Sequence, residues 1–539
     1  MKAFQRVQQH IQNRRVGETA TQAPMAAADG SIPSPTAKDV SRYRFQSGTN
    51  VGSVFILERW LTPSMFPDSA QGSSELVAAD AWIAQEGIEL ARQRFEKHWR
   101  EYVTDPDLEW LKDAKCNTIR LPIGYFTLGP QFCEHTAFSK VAPVYKNAWD
   151  AVKQLIWRCH ERDIAVLIDL HGLPGGANTG DHSGTNSAKA ELWGSQRNLQ
   201  LATKCICFIV QQAQCLEGVA GVQIVNEAEY DAKGMYAWYD KVLTEVSHVD
   251  PTVPIYVSDG WNLNRALTWM QTKNSLHGKS ASCNPVVMDT HLYWAFTDED
   301  KAKSPQQIIY EVPSKLSELD GKDGNVLERG AAEVVVGEWS CVLTEDSWAK
   351  ANGVPKEQLV NQFGTAQCLR YQQRAGGRFF WTYRMDWMDG GEWGFKQMNN
   401  RQAVAPPVSL TPPAAEIGTR IGTAQSQKDY RRGTSWGAHC QYWDTQFPGH
   451  SETLADPSTH DFRYEHYRFP HGWDVGFADA AAFFGSRSQR GFDGGDKIGM
   501  LDLWCLKRIK ESGQSGQYAW EWETGFRQGV RDFYEVVGV

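Results

Sequence analysis

Eight short apolar runs, rich in β-branched residues, alternate along the chain with longer amphipathic stretches, and that alternation constrains the fold more than any other feature. The runs lie at 43–50, 116–122, 164–171, 219–227, 255–259, 286–293, 333–340 and 378–381. Apolar runs this short fit buried strands better than helices. Between them, 80–104, 107–114, 147–162, 198–215, 236–249, 304–319 and 356–375 read as helices. The 147–162 stretch, for example, sets Val152, Leu155, Ile156 and Cys159 at helical spacing. Strands alternating with helices form a parallel sheet with right-handed crossovers, and eight such units close into a (β/α)8 TIM barrel.

Such barrels carry their chemistry at the C-terminal strand ends. Here those ends bear Arg120, His171, Asn226, Glu227, His291, Tyr293, Glu338 and Trp381. Two runs close on a glutamate: Val222-Gln-Ile-Val-Asn226-Glu227, and Glu333-Val-Val-Val-Gly-Glu338, 111 residues later (338 minus 227). Either glutamate alone reads as a solvated loop residue. Two carboxylates delivered by two buried strands are what double-carboxylate glycoside chemistry needs.

The motifs in this frame are Leu57-Glu58-Arg-Trp-Leu-Thr-Pro, Asn117-Thr-Ile-Arg120-Leu-Pro, Asp169-Leu-His171-Gly-Leu-Pro-Gly with its Asn178 to Gly184 loop, Asn226-Glu227, His291-Leu-Tyr293, Gly337-Glu338-Trp-Ser and Phe380-Trp381. Over residues 43–395 the chain resembles glycoside hydrolase family 5, in its fungal exo-β-1,3-glucanase-like branch. The resemblance implies a retaining double displacement with Glu227 as acid/base and Glu338 as nucleophile. It further implies that Asn226 bonds the sugar 2-OH, Arg120 keeps Glu338 ionised and Tyr293 orients it. His171 and His291 would line the pocket, Trp381 would floor it, and Glu58 would hold the terminal glucose. Trp261, after the fifth strand, is a candidate platform for the next sugar. One departure stands out: Ala228 follows Asn-Glu where the family usually has Pro.

The partner expected is a carbohydrate β-glucoside, with no cofactor and no metal. The histidines lack ligand spacing, Asp298-Glu299-Asp300 reads as a solvated run, and the 172–184 loop lacks the ending of a phosphate cradle. A net charge of −9 without a basic stripe argues against nucleic acid. Eleven scattered cysteines without a CxxC pair read as mostly buried thiols. The N-terminal stretch has no secretory apolar core and no run is long enough to span a membrane, so a cytoplasmic location is expected. That weakens a cell-wall glucan as substrate. An intracellular glycolipid or short oligosaccharide is the alternative within the class, and a non-catalytic sugar-binding barrel the alternative outside it. The linkage and the oligomeric state stay open.

Residues 1–40 read as a flexible lead, 41–400 as the catalytic barrel, 401–425 as a Pro-rich linker and 426–539 as a helical module. The module carries a repeat: 467–479 aligns with 520–532, matching aromatics, two glycines four apart and an Asp. Gly433 to Gly437 is a fainter copy. Glycines four apart share a helix face and admit a second helix closely, so the module is expected to pack on the barrel, remote from Glu227 and Glu338; capture of a sugar or lipid by its aromatics is the alternative.

Overall fold

The computed structural model describes residues 32–276, 284–446 and 464–539. Its eight strands are β1 (Gln46–Thr49), β2 (Thr118–Gly124), β3 (Ala165–Gly172), β4 (Val219–Gln223), β5 (Ile255–Ser258), β6 (Val286–Leu292), β7 (Val334–Trp339) and β8 (Gly377–Phe380). All neighbours are parallel, in the order β1-β8-β7-β6-β5-β4-β3-β2. The two ends of that sheet meet through the Asn50–Arg120 and Phe55–Ile123 bridges, so the barrel closes. Seven strands are buried along their whole length, the pattern of a sheet covered on both faces; in β6 His291 and Leu292 are half-buried.

Three helical stretches differ from expectation. In place of one helix over 80–104 there are two, starting earlier, Glu75–Glu86 and Ile88–Glu101, broken at Gly87, whose φ of +83° suits glycine. The 304–319 stretch is a short helix, Pro305–Glu311, followed by single turns, because Pro313 cannot donate a helical bond. At the N-terminus, residues 1–31 of the expected lead lie outside the described residues. Ala37–Tyr43 is a helix, started by a Thr36–Asp39 capping box and anchored by buried Val40 and Tyr43.

The expected linker is also shorter than 401–425, since a helix of 33 residues, Ala414–Gln446, begins inside it. Three more helices follow: Arg468–Gln489, Leu501–Ser512 and Ala519–Val537. They share one apolar core with the lower barrel residues Leu167, Tyr256, Val287, Val335 and Phe379. The connection is specific. Ile498 pairs with Arg44 beside β1, Arg44 meets Asp496 at 3.0 Å, and Glu333 accepts from the Asp502 N–H at 2.7 Å at a helix start. The tail therefore closes the N-terminal end of the barrel.

The repeat explains the tail's tightest contact. A Cβ added at Gly472 or Gly476 would stand 2.0 Å from the carbonyl oxygen of Trp522 or Phe526. One added at Gly525 or Gly529 would stand 2.0 or 2.1 Å from that of Phe469 or Trp473. The two helices thus cross backbone to backbone through four reciprocal glycines. Each repeat Asp is buried and accepts an indole N–H, Asp532 from Trp473 and Asp479 from Trp504. Phe469, Trp473, Trp522 and Phe526 are buried as expected, whereas Tyr467 is exposed and Trp520 half-buried. The faint copy fails, because nothing lies within 4 Å of a Cβ at Gly433 or Gly437.

Candidate active site

Fully buried Arg120, the third residue of β2 and not its end as the sequence suggested, organises the site. Its guanidinium donates to Gln223, Asn50, Asn226 and Glu338 at 2.9, 2.8, 2.7 and 3.0 Å, and lies 3.1 Å from Asp169. A planar donor fork can hold such a set at once, where lysine could not. Glu338, at the end of β7, also accepts from the Tyr293 hydroxyl at 2.8 Å. Both its oxygens are thus fixed.

Asn226 is held between Arg120 and His171, whose Nε2 lies 3.2 Å from the amide nitrogen; His171 Nδ1 lies 2.8 Å from Asp169. Burial lowers the His171 pKa well below its ordinary value. The ring is therefore neutral, donating to Asp169 and accepting from Asn226, which fixes the direction of the amide. After Asn226 the backbone turns sharply, with φ +43° at Glu227. Such a conformation is uncommon for a residue with a side chain and is held by its neighbours. Asn178 of the glycine-rich loop donates to the Glu227 carbonyl at 3.0 Å, and the Ala228 N–H donates to Ser258 Oγ at 3.2 Å. Proline could not make that second bond, which gives the departure at Ala228 a physical role.

His291 stands between the two glutamates. Its Nδ1 is 2.9 Å from Glu227 and 3.5 Å from Glu338, and its Nε2 is 3.0 Å from Asp289. A neutral imidazole has one N–H to offer, so a second proton sits on the ring or on Glu227. Burial opposes a charged ring, but Glu338 and Asp289 outweigh it and raise His291 well above its usual range. For Glu227, burial is outweighed by the His291 hydrogen bond and by the His291 and His182 charges, which pull it down to about 2. Burial pushes Glu338 up to about 7 against the pull of His291 and Arg120, and the Glu227 charge adds to the rise. A proton moving from His291 to Glu227 takes away both the Glu227 charge that raises Glu338 and the larger His291 charge that lowers it, so the protonation states of the three groups are linked. Carboxylate oxygens of the two glutamates lie within 4.8 Å of one another.

These groups open into a cavity of about 640 Å³. Glu58, His171, Asn226, Trp261, His291, Tyr293 and Trp381 line it with the two glutamates, while Arg120 lies beneath. Trp381 lies 6.0 Å from His171, rings nearly parallel, and Trp261 stands half-exposed at φ +62°, edge-on to His291. Glu58 accepts from the Trp60 indole at 2.7 Å, and burial pushes it up to about 7.

The structure adds wall residues not expected from sequence: His182, 3.4 Å from Glu227, and Trp60, Phe296 and Trp393. No local pattern marks His182, whereas Trp60 sits inside the Glu58 motif and could have been singled out. The Asp298–Asp300 run is only partly solvated, because Asp300 is buried and lines the cavity with Glu299.

A (β/α)8 barrel whose strand ends converge on two hydrogen-bonded carboxylates, beneath an aromatic-walled pocket, defines a glycoside hydrolase. The family model described as cellulase, glycosyl hydrolase family 5, matches residues 83–382, and the chain belongs to that family. A second model, the glucan 1,3-beta-glucosidase 3 C-terminal domain, matches residues 424–537. The chain is 30% identical over 492 residues to glucan 1,3-beta-glucosidase 3 of Schizosaccharomyces pombe, covering 90% of this chain and 95% of that one. It is 29% identical over 519 residues to an uncharacterized glycosyl hydrolase of Saccharomyces cerevisiae, covering 93% and 94%. Among solved structures, rutinosidase from Aspergillus niger shares the fold, with a TM-score of 0.51, 15% identity, and coverage of 67% of this chain and 98% of that one. Among the described residues no helix is long and apolar enough to cross a membrane.

Proposed function

We propose that the protein is a retaining, exo-acting β-glucosidase of the glucan 1,3-β-glucosidase type. The observation that carries the retaining reading is the short separation of Glu227 and Glu338 across His291, within 4.8 Å between nearest oxygens. Retaining enzymes hold their carboxyls about 5–5.5 Å apart, and inverting ones about 6.5–9.5 Å, to admit a water. Glu338, fixed by Arg120 and Tyr293, attacks the anomeric carbon and forms a glycosyl ester. Glu227 protonates the departing oxygen, drawing on the proton it shares with His291. Asn226, its amide direction fixed by Arg120 and His171, receives the sugar 2-OH. Water then enters, Glu227 takes its proton, and the ester is hydrolysed with the β configuration restored. Glu58 supports exo action as the group that bonds the terminal glucose, and the glucan relative supports the linkage.

The test is Glu338→Ala with a β-glucosyl fluoride or aryl β-glucoside. Turnover should fall by several orders of magnitude, and azide should restore part of it with an α-glucosyl azide as product. Near-native hydrolysis by this variant, or an α-anomer as the first product of the native enzyme by NMR, would refute the proposal.

A further inference from the structure

A second cleft, of about 900 Å³, lies at the far end of the barrel from the glutamates. It falls between the last tail helix and the short Val326–Arg329 helix that precedes β7. Its apolar wall is Trp443, Tyr464, Tyr518 and Trp520, and Asn325 and Gln517 contribute amides. Trp443 and Trp520 stand 4.7 Å apart between ring centres, Trp443 and Tyr464 5.6 Å, and Tyr464 and Tyr518 6.3 Å. The module buries Trp473, Trp504 and Trp522 completely, yet leaves these four rings half-exposed around one opening.

The wall is rigidly supported. Behind it, fully buried Glu521 meets His439 and His466 at 3.1 and 2.7 Å and accepts from the Glu465 N–H at 2.7 Å. One carboxylate thus ties together the helix bearing Trp443, the turn bearing Tyr464 and the helix bearing Trp520. Tyr464 is also stacked on His466, 5.2 Å apart and 10° from parallel. Positions fixed in advance lower the entropy that a ligand must overcome.

The lining chemistry selects the ligand. Aromatic faces suit the C–H faces of pyranose rings, and amides suit hydroxyls. The charged lining groups are Glu328, Glu523 and Arg527, an acidic excess unsuited to phosphate or nucleic acid. Glu523 is already engaged by the Val326 N–H and Arg527 by Asp502, so they build the cleft wall. The volume is in the range of sites for ligands larger than a monosaccharide.

We propose that this cleft is a second, non-catalytic binding site for a neutral glucan oligosaccharide. The ligand class rests on the function proposed above. From the opposite end of the barrel, such a site holds a long chain near the enzyme and leaves small substrates unaffected.

The experiment uses the full chain carrying Glu338→Gln, so that ligand survives, and titrates it with β-1,3-glucan oligosaccharides by calorimetry. Two binding events per chain are expected, one of which disappears when Trp443→Ala and Trp520→Ala are added. In the active enzyme, the same two changes should lower kcat/KM on soluble polymer at least about fivefold, the scale of lost aromatic contacts, and leave an aryl β-glucoside unchanged. Asn325→Gly with Gln517→Ala, which touches no ring packing and suits the φ of +51° at residue 325, should weaken the same event without lowering the melting temperature. A single binding event, or polymer kinetics unmoved by both variant pairs, overturns the inference while the hydrolase reading stands. Two binding events in a native chain that hydrolyses no β-glucoside would sustain the cleft and overturn the catalytic reading instead.

Discussion

One substitution, made at two places in the tail, should have opposite effects. Gly525→Ala puts a Cβ 2.0 Å from the Phe469 carbonyl oxygen, with the carbonyl carbon at 2.8 Å and Cα at 2.9 Å. Ordinary contact begins near 3.4 Å, so the helices must part by about 1.4 Å at a crossing that Gly472, Gly476 and Gly529 also need closed. Overpacking of this kind costs about 1–3 kcal/mol, and more where the obstructing atoms are backbone. Alanine returns only about 1 kcal/mol of helix propensity. We expect a net loss of about 1–2 kcal/mol for Gly525→Ala, the upper half of that cost range less the propensity gain. At Gly433 the surroundings are open, so the propensity gain stands alone and Gly433→Ala should stabilise by up to about 1 kcal/mol. Urea unfolding followed by tryptophan fluorescence, with both variants beside the native chain, measures the difference. If Gly525→Ala matches or exceeds native stability, the reciprocal glycine crossing is wrong. If both variants fall together, helix propensity is not what distinguishes them.

Three further outcomes follow from the site and its support. Glu227→Gln removes the negative charge that raises Glu338; the acid limb of kcat/KM on an aryl glucoside with a good leaving group should move to lower pH, and a rise would refute the coupling. Arg120→Met strips buried Asp169 and Glu338 of their cation, so activity should vanish and stability should fall by about 3–5 kcal/mol in denaturant titration. Glu75 is buried, accepts from the Leu57 N–H and the Tyr145 hydroxyl, and is pushed up to about 8 mainly by burial. Its pKa is raised on folding, so its contribution is complete below the unfolded value near 4.5 and is lost as pH rises through about 8. Glu75→Gln should therefore flatten the fall in melting temperature between about pH 4.5 and 8, and an unchanged slope would show that Glu75 is already ionised.

The barrel is legible in the sequence because strands buried on both faces leave continuous apolar runs, and each run ends where the chemistry stands. Asn226, Glu227, Glu338 and His291 could be read as strand ends before any geometry was known. His182 could not, since a glycine-rich loop has no period to say which side chain turns inward. The helix start at Ala414 was hidden by Pro412 and Pro413, which read as a linker, although proline is favoured at a helix start. Gly87 was a visible signal for a helix break. The repeat was legible in its aligned glycines, but its faint copy was not separable from them, because glycine spacing does not say whether a partner helix is present.

The closure of the barrel floor by the tail has a consequence for how the protein is made. β1 is made before β8, which is complete at Phe380, and the last described helix ends 157 residues later (537 minus 380). At synthesis rates of about 5–20 residues per second that is roughly 8–30 s. Throughout it Leu167, Tyr256, Val287, Val335 and Phe379 lack the chain segments that cover them, and Arg44 waits for Asp496. The nascent barrel therefore presents an apolar surface until the final helices appear. A message truncated between Trp393 and the final helices encodes every residue of the proposed catalytic site on a chain that chaperones and proteases can still recognise as unfinished.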